Sequence, residues 1–482
     1  MTDFRPVAHI IGLVVAAMGA LMLLPALLDW AAGQANWAAF VKASFVTVTA
    51  GGGVALATAN APRHALDIRQ IFLITTLTWV AACLFGALPF VLGAPDATWL
   101  DALFEATSGL TTTGATVFVG LQDLPPGVNL WRVMLHWLGG LGIVIIAMLF
   151  LPVMKVGGMQ FFRSEGFDTL GKVLPRALDI SSALVQVYVA LTLACAVAYL
   201  AFGMSGYDAV VHALSTVSTG GFSNYDTSFA TFSGPLEYVA IFFMIAGCLP
   251  FVRLVQVWHG EWTPMWRDRQ VRAFLRWNLV AVSAIALYAL MQGGRDAEAI
   301  LRETAFNTVS VFTGTGLISA DLTVWGPFAF VILFLVGLIG GCTSSTGCSV
   351  KVFRWLILWE AVKVQLRRIR QPDAVNTLRY EGRSVDGDVV DAVIFFFAAF
   401  VLTFGLLAVA LALAGLSFGT AITAAWTAIA NVGPAYGPEV HPTGALLAFP
   451  DAAKTVMIVG MLLGRLELLA VYVLFLRRFW RD

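Results

Sequence analysis

Charged residues are scarce in this sequence, and that scarcity excludes a soluble globular domain. Asp, Glu, Lys and Arg make up 12% of the 482 residues, whereas a soluble domain usually carries about 25%. Hydrophobic residues make up 59%, and the mean hydropathy is +0.83. Many apolar runs exceed the roughly 20 residues that a helix needs to cross a bilayer. The composition therefore predicts a polytopic integral membrane protein.

The sequence also lacks the motifs of soluble metal sites and of enzymes. It has five cysteines and no CxxC pair, which excludes a disulfide framework and a zinc site. It contains no HExxH motif, so pairings such as His212 with Ser215 or Ser218, or His136 with Glu105, are weak grounds for catalysis. It has no GxGxxG after a strand either. We therefore expect no enzyme, no cofactor bound by this chain and no nucleic-acid binding.

The basic residues that are present gather in a few connectors. These are residues 155–176, 253–276 and 351–383, and the tail with Arg477, Arg478 and Arg481. Cytoplasmic loops carry an excess of Lys and Arg. The charge distribution thus predicts a multi-pass membrane protein with both termini in the cytoplasm. The basic residues between 355 and 385 are also expected to contact anionic membrane lipids.

A unit of a span, a short helix, a polar loop and a second span recurs four times after two opening spans. This pattern predicts an all-α fold of about ten transmembrane helices with four re-entrant pore helices, arranged with four-fold pseudo-symmetry around one pore. The predicted boundaries are 1–60 for the two opening spans and 61–177, 178–270, 271–386 and 387–482 for the units. The opening spans are predicted at 8–30 and 37–59. The first span, short helix and second span of the four units are predicted, in that order, at 70–93, 98–111 and 128–154; at 178–203, 205–217 and 235–258; at 276–293, 297–312 and 325–366, the last of these interrupted; and at 388–414, 418–430 and 450–476.

Each unit places a short polar segment ending in glycine after its short helix, and we call these segments the filter loops. A non-helical backbone at membrane depth is tolerated where it lines a water-filled cavity, and glycine allows its carbonyls to turn toward an axis. Because no filter loop contains Asp or Glu, neutral carbonyls would select the ion, which favours potassium. Close packing of small residues would explain one such loop but hardly four. The predicted ion-binding residues are Thr111, Thr112, Thr113 and Gly114; Ser218, Thr219, Gly220 and Gly221; Thr313, Gly314, Thr315 and Gly316; and Ala430, Asn431, Val432 and Gly433.

The filter segments resemble those of the Trk/Ktr/HKT superfamily of potassium transporters, in particular its bacterial TrkH/TrkG branch. The resemblance is carried by LTTTGATV at 110–117 and HWLGGLGI at 136–143, and it extends over essentially the whole chain, including the two opening spans. It implies that four glycines select the ion, and we call them the selectivity glycines: Gly114, Gly221, Gly316 and Gly433. It also implies a homodimer and a cytoplasmic, TrkA-like regulatory subunit of the RCK type that binds NAD or ATP.

The second span of the third unit is interrupted by ten small or polar residues, 340–349. Such a stretch would be a poor lipid-facing helix, and the resemblance implies an intramembrane loop that closes the pore. A glycine-rich kink for packing is the alternative. The predicted gate consists of Gly340, Gly341, Cys342, Thr343, Ser344, Ser345, Thr346 and Gly347, together with Arg465.

Arg465 lies near the middle of the last span, where an arginine costs about 2.5–3.5 kcal/mol and must face the interior. The resemblance implies that it approaches the gate; a structural ion pair with another span is the alternative. Glu467, two residues on, would point elsewhere on the helix. Lys454 is expected to snorkel to the outer surface.

These features predict potassium uptake through a gated, selective pore that also passes rubidium. A proton- or sodium-coupled symporter remains the alternative, although such carriers usually bury an acid or histidine in mid-span. A scaffold without transport would leave the filter loops unexplained.

Overall fold

The computed structural model describes residues 3–61, 66–149, 154, 156–161, 177–294, 296–372 and 377–481. Most of the predicted basic connector at 155–176 lies outside these residues. The described chain is helical except for its loops and one antiparallel hairpin, in which Arg379–Tyr380 pairs with Arg383–Ser384. It contains seven helices long and apolar enough to cross a membrane, or nine if each of two bent pairs is one span. The predicted all-α polytopic fold is therefore confirmed.

The two opening spans pack tightly because small residues face each other. Helices Arg5–Leu21 and Leu23–Ala31 form the first span, and Trp37–Ala57 forms the second. A methyl group on Gly51 would lie 2.7 Å from the Gly12 carbonyl oxygen, so the two backbones meet without intervening side chains.

The four units then follow in the predicted order. Their short helices contain 12 to 17 residues, too few to cross a bilayer, and we call them pore helices 1 to 4. The helices of the units are Ile68–Gly86, Leu88–Leu92, Trp99–Leu110 (pore helix 1) and Pro126–Leu149; Ala177–Ala201, Gly206–Val217 (pore helix 2), Pro235–Gly247 and Phe251–Trp258; Thr263–Arg267, Arg269–Gln292, Ala297–Thr313 (pore helix 3), Gly326–Gly337 and Val352–Arg370; and Gly387–Leu413, Phe418–Ala430 (pore helix 4), Asp451–Arg465 and Leu469–Tyr472. Short 3₁₀ segments lie at Leu121–Asp123, Val156–Phe161, Ser228–Phe232, Leu322–Trp325, Val473–Phe475 and Arg477–Trp480.

Pore helices begin where a polar side chain accepts hydrogen bonds from backbone amides. Thr98 accepts from Asp101, Ser205 from Asp208, and Asp296 from Ala299. In the fourth unit Glu439 performs this role from a distant loop, since its carboxylate accepts the Ser417 amide at 2.9 Å. Its hydrogen bonds with the Thr420 and Ser417 hydroxyls and the Ser417 amide lower the pKa of Glu439 to about 2.

Two second spans that the sequence predicts as continuous are broken. The span predicted at 235–258 bends by 101° between Gly247 and Phe251, where Pro250 removes an amide donor. The span predicted at 450–476 bends by 102° after Arg465, where Glu467 and Leu468 have φ of 61° and 26°. Both predictions of an unbroken helix were wrong, and both breaks lie beside the buried loop described below.

Candidate functional site

The four filter loops share one backbone pattern. In each loop two residues, two positions apart, have a positive φ, and the second is always the predicted selectivity glycine. Since extended chains point successive carbonyls to opposite sides, these changes in the sign of φ allow neighbouring carbonyls to face one side. The pairs are Thr112 and Gly114, Thr219 and Gly221, Gly314 and Gly316, and Asn431 and Gly433.

The four loops close into a ring. A methyl group added to Gly114 would overlap the carbonyl oxygen of Gly220, the residue before the next selectivity glycine. The same relation leads from Gly221 to Thr315 and from Gly316 to Val432. It closes from Gly433 to the first unit, where the methyl group would lie 2.7 Å from the Thr113 carbonyl oxygen. Four glycines and four carbonyls at equivalent positions thus form a closed circle with no room for a side chain.

This ring opens into a depression on one surface of the protein. All four selectivity glycines line it, together with Arg132. The other predicted filter residues are buried, so that each loop exposes little beyond its glycine. A cation entering the depression would therefore meet backbone atoms at its floor.

Each pore helix is tied to the chain just beyond its filter glycine by a buried polar residue. In the first unit Glu105 accepts hydrogen bonds from the Thr116 hydroxyl and the Val117 amide. Because each tie spans the filter loop, it fixes the loop at both ends. The other ties are His212 with Ser223 at 3.1 Å, Asn307 with Ser319 at 3.0 Å, and Thr423 with Tyr436 at 2.6 Å.

Hydroxyl and amide groups hold the inner ends of the loops. The Thr111 and Thr113 hydroxyls lie 2.7 Å apart, and those of Thr313 and Thr315 lie 2.8 Å apart. Asn431 joins the last loop to the first, since its amide group donates to the Thr113 hydroxyl at 2.8 Å. Side-chain hydrogen bonds, both within a loop and between loops, therefore hold the inner ends in place.

The interrupted span of the third unit forms a buried, non-helical loop. Its helix ends at Gly337 and resumes at Val352, and we call residues 338–351 the buried loop. All eight of the predicted gate residues 340–347 are in it and are buried. The loop is anchored on the break in the second unit: the Cys342 amide donates to the Cys248 carbonyl at 3.1 Å, and the Thr346 hydroxyl to the Gly247 carbonyl at 2.8 Å.

The buried loop lies against the inner ends of the filter loops. The Cys348 Sγ is 3.4 Å from the Thr112 hydroxyl, and a methyl group on Gly314 would lie 3.6 Å from the Cys348 Cβ. The Thr346 hydroxyl also donates to the carbonyl of Val217, the last residue of pore helix 2. An ion leaving the ring inward would meet this loop first.

Known proteins share this arrangement over the whole chain. The TrkH family model, described as a cation transport protein, matches residues 37–481. This chain belongs to the TrkH family. Its members are cation transport proteins.

Individual members of the TrkH family are similar over nearly their full lengths. The Trk system potassium uptake protein TrkI of Halomonas elongata is 41% identical over 86% of this chain and 84% of its own length. TrkH of Escherichia coli K12 is 34% identical over 99% and 100%. The crystal structure of the potassium transporter TrkH from Vibrio parahaemolyticus covers 100% of both chains at 33% identity, with a TM-score of 0.92.

Arg465, the predicted gate arginine of this TrkH-family chain, contacts the buried loop directly. One terminal nitrogen donates to the Thr346 carbonyl at 3.2 Å and to the Cys348 Sγ at 2.6 Å. The other donates to the Gly139 carbonyl at 3.1 Å, in the second span of the first unit. The alternative of an ion pair with another span finds no support, since Arg465 has no carboxylate partner among the described residues.

The sequence did not reveal a second group of buried charges beside Arg465. Glu467 receives a hydrogen bond from Arg354 at 2.5 Å and lies 3.8 Å from the Lys351 amine. Arg354 also stacks on the Phe396 ring at 3.8 Å. Glu467 thus pairs with two other cations and not with Arg465, although it lies in the break after the helix rather than on the helix. One buried acid therefore lies among three buried cations in this region, Lys351, Arg354 and Arg465.

The residues considered for catalysis have structural roles instead. Glu105 pairs with Arg132 at 2.7 Å in addition to its filter tie. His136 bonds the Gly109 carbonyl at 2.6 Å and accepts the Phe222 amide at 3.2 Å, which joins the first two filter regions. No group of three metal-ligating side chains occurs within the described ranges.

Proposed function

We propose that this protein takes up potassium across the bacterial inner membrane through the ring of four filter loops. One observation carries the proposal: equivalent glycines and carbonyls from four repeated units close into a single ring at the floor of one depression. The names of the relatives, Trk system potassium uptake proteins, support the choice of ion. A ring of backbone carbonyls can replace the hydration shell of potassium, and it would also pass rubidium.

The electrostatics of the ring favour a monovalent cation. The filter loops carry no acid, so the favourable field comes from carbonyl dipoles rather than from fixed charges. Each pore helix ends at its filter loop, which directs the negative end of the helix dipole toward the ion. A divalent cation, which holds its water more strongly, gains too little from such a site.

The buried loop is the gate in this proposal. It occupies the inner exit of the ring, and Arg465 holds its Thr346 carbonyl while adding a positive charge beside the path. Opening requires that these hydrogen bonds break and that the loop moves aside. The ion pairs of Glu467 argue against the coupled symporter, because an acid held by Arg354 and Lys351 is poorly placed to carry a proton.

The assembly and its control extend the proposal. The protein acts as a homodimer with one pore per protomer, and both termini lie in the cytoplasm. A cytoplasmic regulatory subunit that binds NAD or ATP controls the gate. The grouping into two opening spans and four units, with the boundaries given above, belongs to the same proposal.

Rubidium uptake into proteoliposomes containing only this chain tests the proposed function. We expect uptake that excess sodium barely inhibits in the wild type, and loss of that discrimination in Gly316→Ser. Gly316 has a φ of 78°, and a side chain there would overlap the Val432 carbonyl. Gly293→Ser is the matched control, because Gly293 has a φ of 71° but no atom within 4 Å of an added Cβ.

The outcomes of this experiment separate the alternatives. Equal sodium inhibition of Gly316→Ser and Gly293→Ser would show that the ring does not select the ion. Uptake that occurs only with an imposed proton or sodium gradient would favour the coupled symporter.

A further inference from the structure

A pocket lined by five arginines lies where the third unit begins. Its cavity measures about 600 Å³. The only acids that line it are Asp268 and Glu381, which leaves an excess of three positive charges. The pocket residues, which we call the arginine pocket, are Arg253, Pro264, Arg267, Asp268, Arg269, Arg272, Arg379, Glu381 and Gly382.

The two acids of the arginine pocket are already engaged. Asp268 pairs with Arg253 at 2.9 Å and accepts the amides that begin the helix at Arg269. Glu381 accepts the Arg269 amide at 2.8 Å. Within the part of the chain that the structure describes, the Arg267 and Arg379 side chains make no ion pair. Their charges are therefore available to an anion from outside the chain.

Exposed tryptophans place the arginine pocket at the depth of lipid headgroups. Trp258, Trp262 and Trp266 lie in sequence between Arg253 and Arg267 of the pocket, and each is 61–62% exposed. Tryptophan is enriched where the bilayer meets water, and basic residues beside such a belt bind the phosphates of anionic lipids. Arginine forks match phosphate oxygens in a bidentate geometry.

The arginine pocket is joined to the buried loop through two of the three helices that carry its residues. Gln270, next to Arg269, accepts the Thr343 amide at 3.0 Å. Phe251, two residues before Arg253, donates its amide to the Ser344 carbonyl at 2.9 Å. A ligand that draws these two helix ends together would therefore act on two adjacent residues of the buried loop, Thr343 and Ser344.

We propose that the arginine pocket binds a phosphate group at the membrane surface and that its occupancy biases the buried loop. The phosphate belongs either to an anionic lipid headgroup or to a soluble phosphate compound. The binding stands on the pocket alone, whereas the effect on the loop as a gate rests on the proposed function.

Binding is tested on the purified full chain in detergent with two probes, short-chain phosphatidylglycerol and inorganic pyrophosphate. Arg267→Gln/Arg379→Gln removes two pocket charges, and Arg477→Gln/Arg481→Gln removes two exposed charges of the C-terminal tail, outside the pocket. At about 1 kcal/mol per arginine, we expect the pocket variant to bind about thirty-fold more weakly and the control to bind as the wild type does.

The two probes distinguish the sources of the phosphate. Loss confined to phosphatidylglycerol identifies a lipid site, and loss confined to pyrophosphate identifies a soluble ligand; both support a phosphate pocket. Equal affinities of the pocket and control variants for both probes would overturn it and leave an acidic protein surface as the partner.

The effect on the gate is tested by rubidium uptake in vesicles of phosphatidylcholine, alone or mixed with phosphatidylglycerol. We expect uptake by the wild type and the control to depend on the anionic lipid, and uptake by the pocket variant not to. Gln270→Ala should still bind the lipid but lose this dependence. Full lipid dependence in the pocket variant would overturn the coupling, whereas absence of uptake in every sample, with binding intact, would count against the proposed function only.

Discussion

Arg465 carries a buried positive charge that is held by neutral groups. Its guanidinium contacts the Thr346 and Gly139 carbonyls and the Cys348 sulfur, and it lies 5.8 Å from the Trp79 ring centre. A charge at this depth is costly, and retaining it without a carboxylate in the described structure leaves its field free to act on a nearby ion. This arrangement suits a barrier to cations better than a structural cross-link.

Arg465→Ala should raise rubidium uptake in the absence of any activating partner. The substitution removes both the repulsive charge and the hydrogen bonds that hold the buried loop. Arg465→Lys keeps the charge but loses the forked contacts, so we expect uptake between those of the wild type and the alanine variant. Uptake by well-folded Arg465→Ala at or below the wild-type rate would rule out this gating role.

Single residues that break the rules of membrane sequences were predictable, but their partners were not. Arg465 and the filter glycines stand out because a mid-span charge and a non-helical polar loop each demand an explanation. Arg354 and Glu467 are 113 residues apart, and nothing local in either segment indicates that they meet. Lys454 likewise pairs with Asp101 of the first unit, a partner that its place near the outer end of the last span does not indicate.

At the scale of elements, the pore helices act through the ties that join them to the chain beyond the filter. Asn307 of pore helix 3 is fully buried, and its side chain both donates to the Ser319 hydroxyl and accepts the Ser319 amide at 3.1 Å. Such a two-way bond fixes the position of Gly316 relative to the helix. The geometry of the ring therefore depends on residues outside the ring.

Asn307→Ala should lower the selectivity for rubidium over sodium while uptake itself persists. Loss of the tie frees the chain after Gly316 and lets the ring adapt to the smaller ion. Thr308→Ala is the control, because the neighbouring Thr308 hydroxyl is buried without a hydrogen-bond partner in the described region. If competition by sodium were the same for both variants, the tie would be structural only.

The repeated elements could be predicted from the sequence, whereas only one of the two breaks in the second spans carries a signal in the sequence. A repeat of apolar lengths and glycines is visible in one dimension because hydrophobic burial acts on every unit alike. Pro250 marks one break by a known mechanism. The break after Arg465 has no such signal, since Glu467 and Leu468 adopt positive φ only because tertiary ion pairs and packing hold them there.

At the scale of the whole molecule, the ring needs its last unit to dock on its first. Three contacts make this closure: Asn431 with the Thr113 hydroxyl, the Leu446 amide with the Thr116 carbonyl at 2.8 Å, and Lys454 with Asp101 at 2.6 Å. The Lys454 side chain is 6% exposed, so this ion pair is largely shielded from water. It joins the start of the last span to pore helix 1.

Lys454→Met should destabilise the protein by about 3 kcal/mol, because it leaves the Asp101 carboxylate largely buried without its cation. Asp3→Asn provides the comparison, since it breaks the Asp3–Arg5 pair, whose side chains are 33% and 49% exposed, and should cost less than about 1 kcal/mol. Denaturation of the purified variants in detergent measures both. Equal losses in the two variants would mean that the closure does not depend on this pair.

The double variant Asp101→Asn/Lys454→Met distinguishes a buried pair from two independent losses. Two neutral side chains remove the unpaired charge, so the double variant should recover much of the stability that Lys454→Met loses. If the two losses simply added, Asp101 and Lys454 would contribute through separate contacts. If the double variant recovers stability but its rubidium uptake is inhibited by sodium more strongly than that of the wild type, the ion pair also sets the register of the first and last filter loops.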